Sequence, residues 1–194
     1  MKTQASERVI LGIDPGTNIM GYGIICISGQ QMKLISLGVL KMEKLGDHGL
    51  KLKRIFEKTL MLIDEHHPDE LALEAPFFGK NVQSMLKLGR AQGVAMAAGL
   101  YRSVPIFEYS PRKIKQSITG NGNGTKEQVS EMLKRLLNFS EKPEYLDATD
   151  GLAVAVCHHF QGGNPVISKG LSGKKPAGNW KNFMELNPGR VAAK

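Results

Sequence analysis

The sequence predicts an α/β fold, a mixed five-stranded sheet with helices on both faces. Three observations predict it. Apolar or alternating stretches follow one another closely between residues 9 and 40, as a meander of strands does. Two more short apolar runs, near residues 71–74 and 104–107, then alternate with longer stretches of helical period. A meander followed by alternation mixes antiparallel and parallel pairs in one sheet and supplies helices to cover it.

Taken in order, residues about 9–14 form an apolar, partly β-branched run that ends in Asp14, the pattern of a buried central strand. Gly21 to Ile27 and Met32 to Leu40 flank Ser28-Gly29-Gln30-Gln31, a turn composition, and read as a hairpin paired to that strand. From about Gly46 to His66, Leu50, Ile55, Leu60, Leu62 and Ile63 recur among lysines at roughly helical spacing, until Pro68 and Asp69 stop the helix. Leu71-Ala72-Leu73-Glu74 is a short strand, and Pro76-Phe77-Phe78-Gly79 a loop. Residues about 81–100 read as a helix with a small apolar face, Ala91, Gly93, Ala95, Ala97, Ala98 and Gly99, suited to close packing inside the protein or across a dimer.

Val104-Pro105-Ile106-Phe107 is a further strand, which its proline places at an edge. Thr119 to Gly124 alternates glycine and asparagine and reads as a flexible loop. Thr125 then caps a helix, with Gln128 at capping-box spacing. The last helix runs from near Leu146 to about Gln161. Residues 1–162 thus read as one domain. Residues 163–194, rich in glycine, proline, lysine and asparagine, read as a basic disordered tail.

A chain of 194 residues with 41% hydrophobic residues can bury one sizeable core. Its net charge of +8 fits a polyanionic partner. No apolar stretch reaches the ~20 residues that span a bilayer, and the first residues lack the apolar centre of a secretory signal. Cys26 and Cys157 lie within apolar patterns and form no metal motif, so a reduced, cytoplasmic protein is expected.

The chemistry resides in acids. Asp14 and Glu74 each end an apolar strand, while Asp147 and Asp150 stand three apart at a helix start and share one face. Singly, each has an ordinary reading as a turn former, a cap or a solvated strand end. Together, in a basic chain, they point to a cation site acting on a polyanion. Phosphodiester hydrolysis needs an activated water and charge relief, and two divalent ions about 4 Å apart, held by carboxylates, supply both. Magnesium suits such hard oxygen ligands.

Ile10-Leu11-Gly12-Ile13-Asp14-Pro15-Gly16-Thr17 with Gly21-Tyr22-Gly23 closely resembles the opening of the RuvC family of crossover (Holliday) junction endodeoxyribonucleases. So do Leu86-Lys87-Leu88-Gly89-Arg90-Ala91-Gln92-Gly93, Phe107-Glu108-Tyr109, Lys115-Gln116 with Gly120, Gly122, Lys126 and Gln128-Val129, and Asp147-Ala148-Thr149-Asp150. The likeness runs in order over about residues 9–160. It implies a ribonuclease H-like fold and a homodimer that resolves four-way DNA junctions by paired symmetric cuts in recombination and repair. Asp14, Glu74, Asp147 and Asp150 match its magnesium-holding catalytic acids, with manganese as a substitute ion. Lys115 and Lys126 match its lysines near the scissile phosphate, where they would relieve charge or orient water.

Phe77 matches an aromatic that enters the junction centre, and Phe78 beside it is an equal candidate. Lys80, Asn81, Ser84, Lys87, Arg90, Arg112 and Lys113 are candidate DNA contacts. Family partners would be the branch-migration motor RuvB and its junction-binding subunit RuvA. Two other readings compete. Asp14-Pro15-Gly16-Thr17 also resembles the first phosphate loop of actin-like ATPases and sugar kinases, but this chain carries no second copy of that motif. A non-cleaving binder of branched nucleic acid, or a relative that trims RNA, would share the fold; a pure binder gains nothing from acids facing phosphates.

Overall fold

The computed structural model describes residues 7–76, 81–139 and 146–162. Five strands, β1 (Arg8–Asp14), β2 (Ile19–Ser28), β3 (Gln31–Lys41), β4 (Glu70–Glu74) and β5 (Ile106–Tyr109), form one sheet in the order β3-β2-β1-β4-β5. β1, β2 and β3 pair antiparallel; β1 with β4 and β4 with β5 pair parallel. The mixed sheet is therefore as the sequence predicts. Gly29 makes the hairpin turn at φ 61°, a backbone region that glycine enters freely. Pro105 precedes β5, which is an edge strand.

Helices α1 (His48–His66) and α2 (Val82–Tyr101) cross between the parallel strands and cover one face. There Leu11, Ile13, Met20, Ile24, Leu71 and Leu73 meet Ile55, Leu62, Ile63, Ala91 and Ala95. Helices α3 (Pro111–Thr119), α4 (Lys126–Leu137) and α5 (Asp147–Gln161) cover the other, packing Ile114, Ile118, Val129, Leu133, Leu152 and Val156 against Ile10, Ile25, Ala72 and Phe107. Strand residues of opposite parity thus feed two cores. On α2 only part of the small face is internal: Ala91, Ala95, Ala98 and Gly99 are buried, while Gly93 and Ala97 are exposed.

Two findings go beyond the sequence reading. Helix α3 is absent from it; Ser110 caps this helix by accepting from Lys113 N at 3.3 Å, and Pro111 opens its first turn. The glycine–asparagine segment 119–124 is a loop, as expected, and it carries hydrogen bonds of its own. Gln116 accepts from Gly122 N at 2.9 Å and donates to the Gly120 carbonyl at 2.7 Å, while Asn121 accepts from Asn123 N at 2.9 Å and Gly124 N at 3.0 Å. The glycines there let backbone amides turn inward to side-chain acceptors instead of out to water. The capping box of Thr125 and Gln128 forms as expected and fixes the loop's far end.

Helix α5 lies directly on β1 and β2 because no side chain intervenes. Gly12, Gly21 and Gly23 occupy alternate positions facing it, and Gly151 faces back. A Cβ on Gly151 would sit 2.5 Å from Tyr22 Cα and Tyr22 N, which is backbone and cannot rotate away. This seam sets the start of α5 beside the end of β1.

Candidate active site

Asp14 ends β1, and the start of α5 is held against it, so Asp14, Asp147 and Asp150 converge: one carboxylate oxygen from each lies within 4.8 Å of the others. Neither helix acid is a cap, since Leu146 occupies that position and no side chain closes it. Glu74, one strand over at the end of β4, lies outside this tight triad. It lines the same cavity of about 90 Å³, with Asp14, Asp150, Lys115 and Lys126. An adjoining cavity of about 100 Å³ runs from Asp14 and Glu74 past Pro15, Pro76 and Gln92.

Burial lifts the Asp14 carboxyl to about 7, helped by the negative charges of Asp150 and Asp147 and opposed by Lys126. Burial likewise lifts Glu74 to about 8, with Asp14 and Asp150 adding to it. Asp150 is raised by burial too, against the pull of Lys126. Acids crowded enough to retain protons near neutrality offer oxygen ligands that could hold a cation.

Lys126 is the cation bonded to these acids. Its ammonium donates to Asp150 and, at 3.3 Å, to Asp147 Oδ1. Half-burial lowers its pKa, but the bond to Asp150 and the charges of Asp150 and Asp147 outweigh that and raise it. This explains a lysine in the first turn of α4, where the helix dipole disfavours it. Lys115, at the fifth position of α3, lines the same cavity and lowers both Glu74 and Asp150 electrostatically.

Of the other predicted residues, Asn81, Ser84, Lys87 and Arg90 lie exposed on the first turns of α2, and the Asn81 side chain accepts from Ser84 N at 3.1 Å as the helix cap. Arg112 and Lys113 are exposed on α3, the Lys113 ammonium 5.6 Å from the Tyr109 ring. Phe77, Phe78 and Lys80, and the tail 163–194, lie outside the described residues.

Sequence reading gives no role to Gln92, which is buried on the inner face of α2 and donates to Glu108 and, at 3.4 Å, to the Glu74 carbonyl. A lone amide among the alanines of an inward face is its signal. His158 is likewise structural: it is buried, bonded to Tyr109 Oη at 2.7 Å and to Glu70 Oε2 at 2.9 Å. Both cysteines are free thiols. No helix among the described residues is long and apolar enough to cross a membrane.

The family model described as crossover junction endodeoxyribonuclease RuvC matches residues 10–158. The chain is 59% identical over 185 residues to the protein of that name from Cytophaga hutchinsonii, covering 95% of this chain and 88% of the relative. To the Bacteroides fragilis protein it is 57% identical over 187 residues, covering 95% and 96%. Among solved structures, Thermus thermophilus RuvC in complex with Holliday junction substrate superposes with a TM-score of 0.73 at 30% identity, over 79% of this chain and 93% of that one. A yeast mitochondrial Holliday junction resolvase shares the fold, with a TM-score of 0.57 at 14% identity over 78% of this chain and 77% of that one. Matched along nearly its whole described length, the chain belongs to the RuvC family of ribonuclease H-like crossover junction endodeoxyribonucleases.

Proposed function

We propose that Asp14, Glu74, Asp147 and Asp150 are the catalytic acids that hold magnesium, or manganese in its place, and that Lys115 and Lys126 act beside the scissile phosphate. The observation that carries this is the convergence of Asp14, Asp147 and Asp150 within 4.8 Å, with two lysines on the same cavity. The fit to a divalent cation rests on oxygen donors alone and on carboxyls whose proton affinity is raised until a cation replaces the proton. Bound there, the metal supplies an activated water and charge relief at the phosphate. Lys126, bonded to Asp150 and Asp147, holds the helix acids in register and would carry its charge beside the phosphate oxygens. Lys115, with no carboxylate within ion-pair distance among the described residues, faces the phosphate from the α3 side. Gln92 anchors the end of β4 and so fixes where Glu74 projects.

The substrate of this reading is a four-way DNA junction, gripped by phosphate contacts from Lys80, Asn81, Ser84, Lys87, Arg90, Arg112 and Lys113, with Phe77 or Phe78 stacking at the crossover. Two copies related by a two-fold axis cut two like strands at symmetric positions. The outer face of α2, where Val82 is 63% and Leu86 50% exposed beside Gly93 and Ala97, is the dimer surface. The enzyme works in the cytoplasm with RuvA and RuvB. Incubation with synthetic junctions and magnesium tests the whole. Paired symmetric nicks that vanish in Asp150→Asn support it; random single nicks on linear duplex, without junction preference, overturn it.

A further inference from the structure

Outside the acid pocket, Thr17, Asn18, His48, Lys51, Ser84 and Lys87 line a cavity of about 360 Å³. Three separate segments build it: the turn after β1, the first turn of α1, and the first two turns of α2. Its polarity is the reverse of the catalytic pocket. Among the described residues no carboxylate lines it, and the neighbouring Asp47 is turned to Leu50 N, from which it accepts at 2.7 Å as the α1 cap. Lys51 Nζ spends one N–H on the Asn18 amide oxygen at 2.8 Å, which orients the ammonium without neutralising it. Among the described residues, neither Lys51 nor Lys87 has an ion-pair partner. His48 also lines the cavity, but its Nε2 is closed off from solvent and has no hydrogen-bond partner among the described residues. Ser84 and Lys87, three apart on α2, present a hydroxyl and a charge from one helix face.

Two lysines, the hydroxyls of Thr17 and Ser84 and the Asn18 amide around a concave space suit a tetrahedral oxyanion. The cavity also adjoins the catalytic one, since Leu88 lines both it and the space beside Asp14 and Glu74. We propose that it is a second phosphate seat, which takes a backbone phosphodiester of the same DNA strand whose scissile phosphate lies at the acids. The seat sets the strand's register, so that one phosphate and not its neighbour reaches Asp14. This rests on the nuclease reading above and adds to it residues Asn18 and Lys51.

Junction binding is measured by fluorescence anisotropy on the full-length chain, with calcium in place of magnesium to prevent cutting, across a salt series. A lysine that neutralises one phosphate contributes about 1 to the steepness with which log affinity falls against log salt. Lys51→Gln and Lys87→Gln are each expected to lower that steepness by about 1, while Lys33→Gln, on β3 at the opposite end of the sheet from Asp14, leaves it unchanged. A junction with one uncharged methylphosphonate, placed in turn at each position near the cut, provides the second readout. At one position it weakens wild-type binding and adds nothing in Lys51→Gln. Slopes unchanged in both cavity variants, or lowered as much by Lys33→Gln, overturn the seat while the nuclease reading stands. A wild type that neither prefers nor cuts junctions defeats both.

Discussion

Replacing Asp14 with Asn should make the metal-free protein more stable. The Asp14 carboxyl titrates at about 7 in the folded chain against 3.8 when unfolded. The folded state therefore holds a proton that the unfolded chain has released, and stability falls as pH rises through that window. The difference, 7 − 3.8, is about 3 units; at about 1.4 kcal/mol each, the ionised form costs about 4 kcal/mol at most above pH 7. The buried amide of Asn takes back about 1–3 kcal/mol for polar atoms that lack partners. A net gain of about 1–3 kcal/mol remains, with each kcal/mol raising the melting temperature by about 2–4 °C. Thermal melts at about pH 8, run in chelator and then in excess magnesium, read this out. In chelator the variant melts above the wild type. With magnesium at a hundredfold over its dissociation constant the wild type gains about 2.7 kcal/mol, and the variant gains little. A variant that melts below the wild type in chelator, or responds to magnesium as fully, would refute the reasoning.

Two further outcomes follow from the same geometry. Gly151→Ala drives a methyl group into the Tyr22 backbone and is expected to cost about 2–3 kcal/mol in urea unfolding, with cleavage by the folded fraction falling more than about tenfold as α5 lifts from β1. Because the cation displaces protons from Asp14 and Glu74, apparent magnesium affinity should climb between about pH 6 and pH 8, and calorimetry in two buffers should detect the released protons.

Much of the fold and site is legible in the chain, because the informative residues obey local rules. Asp14 and Glu74 stand where apolar runs end, and a strand that ends in an acid presents it at a sheet rim whichever strand lies beside it. Asp147 and Asp150 share a face by helix geometry alone. What local rules do not supply is distance. That Glu74 stays outside the 4.8 Å triad depends on the β1–β4 register. That Lys126 reaches Asp150 depends on how α4 and α5 pack. Helix α3 escapes notice because its nine residues contain three cations and only two buried apolar side chains, Ile114 and Ile118. The bonds of segment 119–124 escape notice for another reason: its composition signals irregular backbone correctly but is silent on which side chains, such as Gln116, bond to it.

The glycine seam under α5 has a consequence for how such an enzyme chooses its target. Where the first turns of α5 rest on the glycines of β1 and β2 there is no compliant layer of side chains, so the acids carried there have little room to adapt to differently shaped strands. If those acids are the reacting centre proposed above, it behaves as an anvil, hard and indifferent to what is laid across it. Discrimination between branched and linear DNA must therefore be exercised upstream, by whether a strand can be bent far enough to reach the anvil at all.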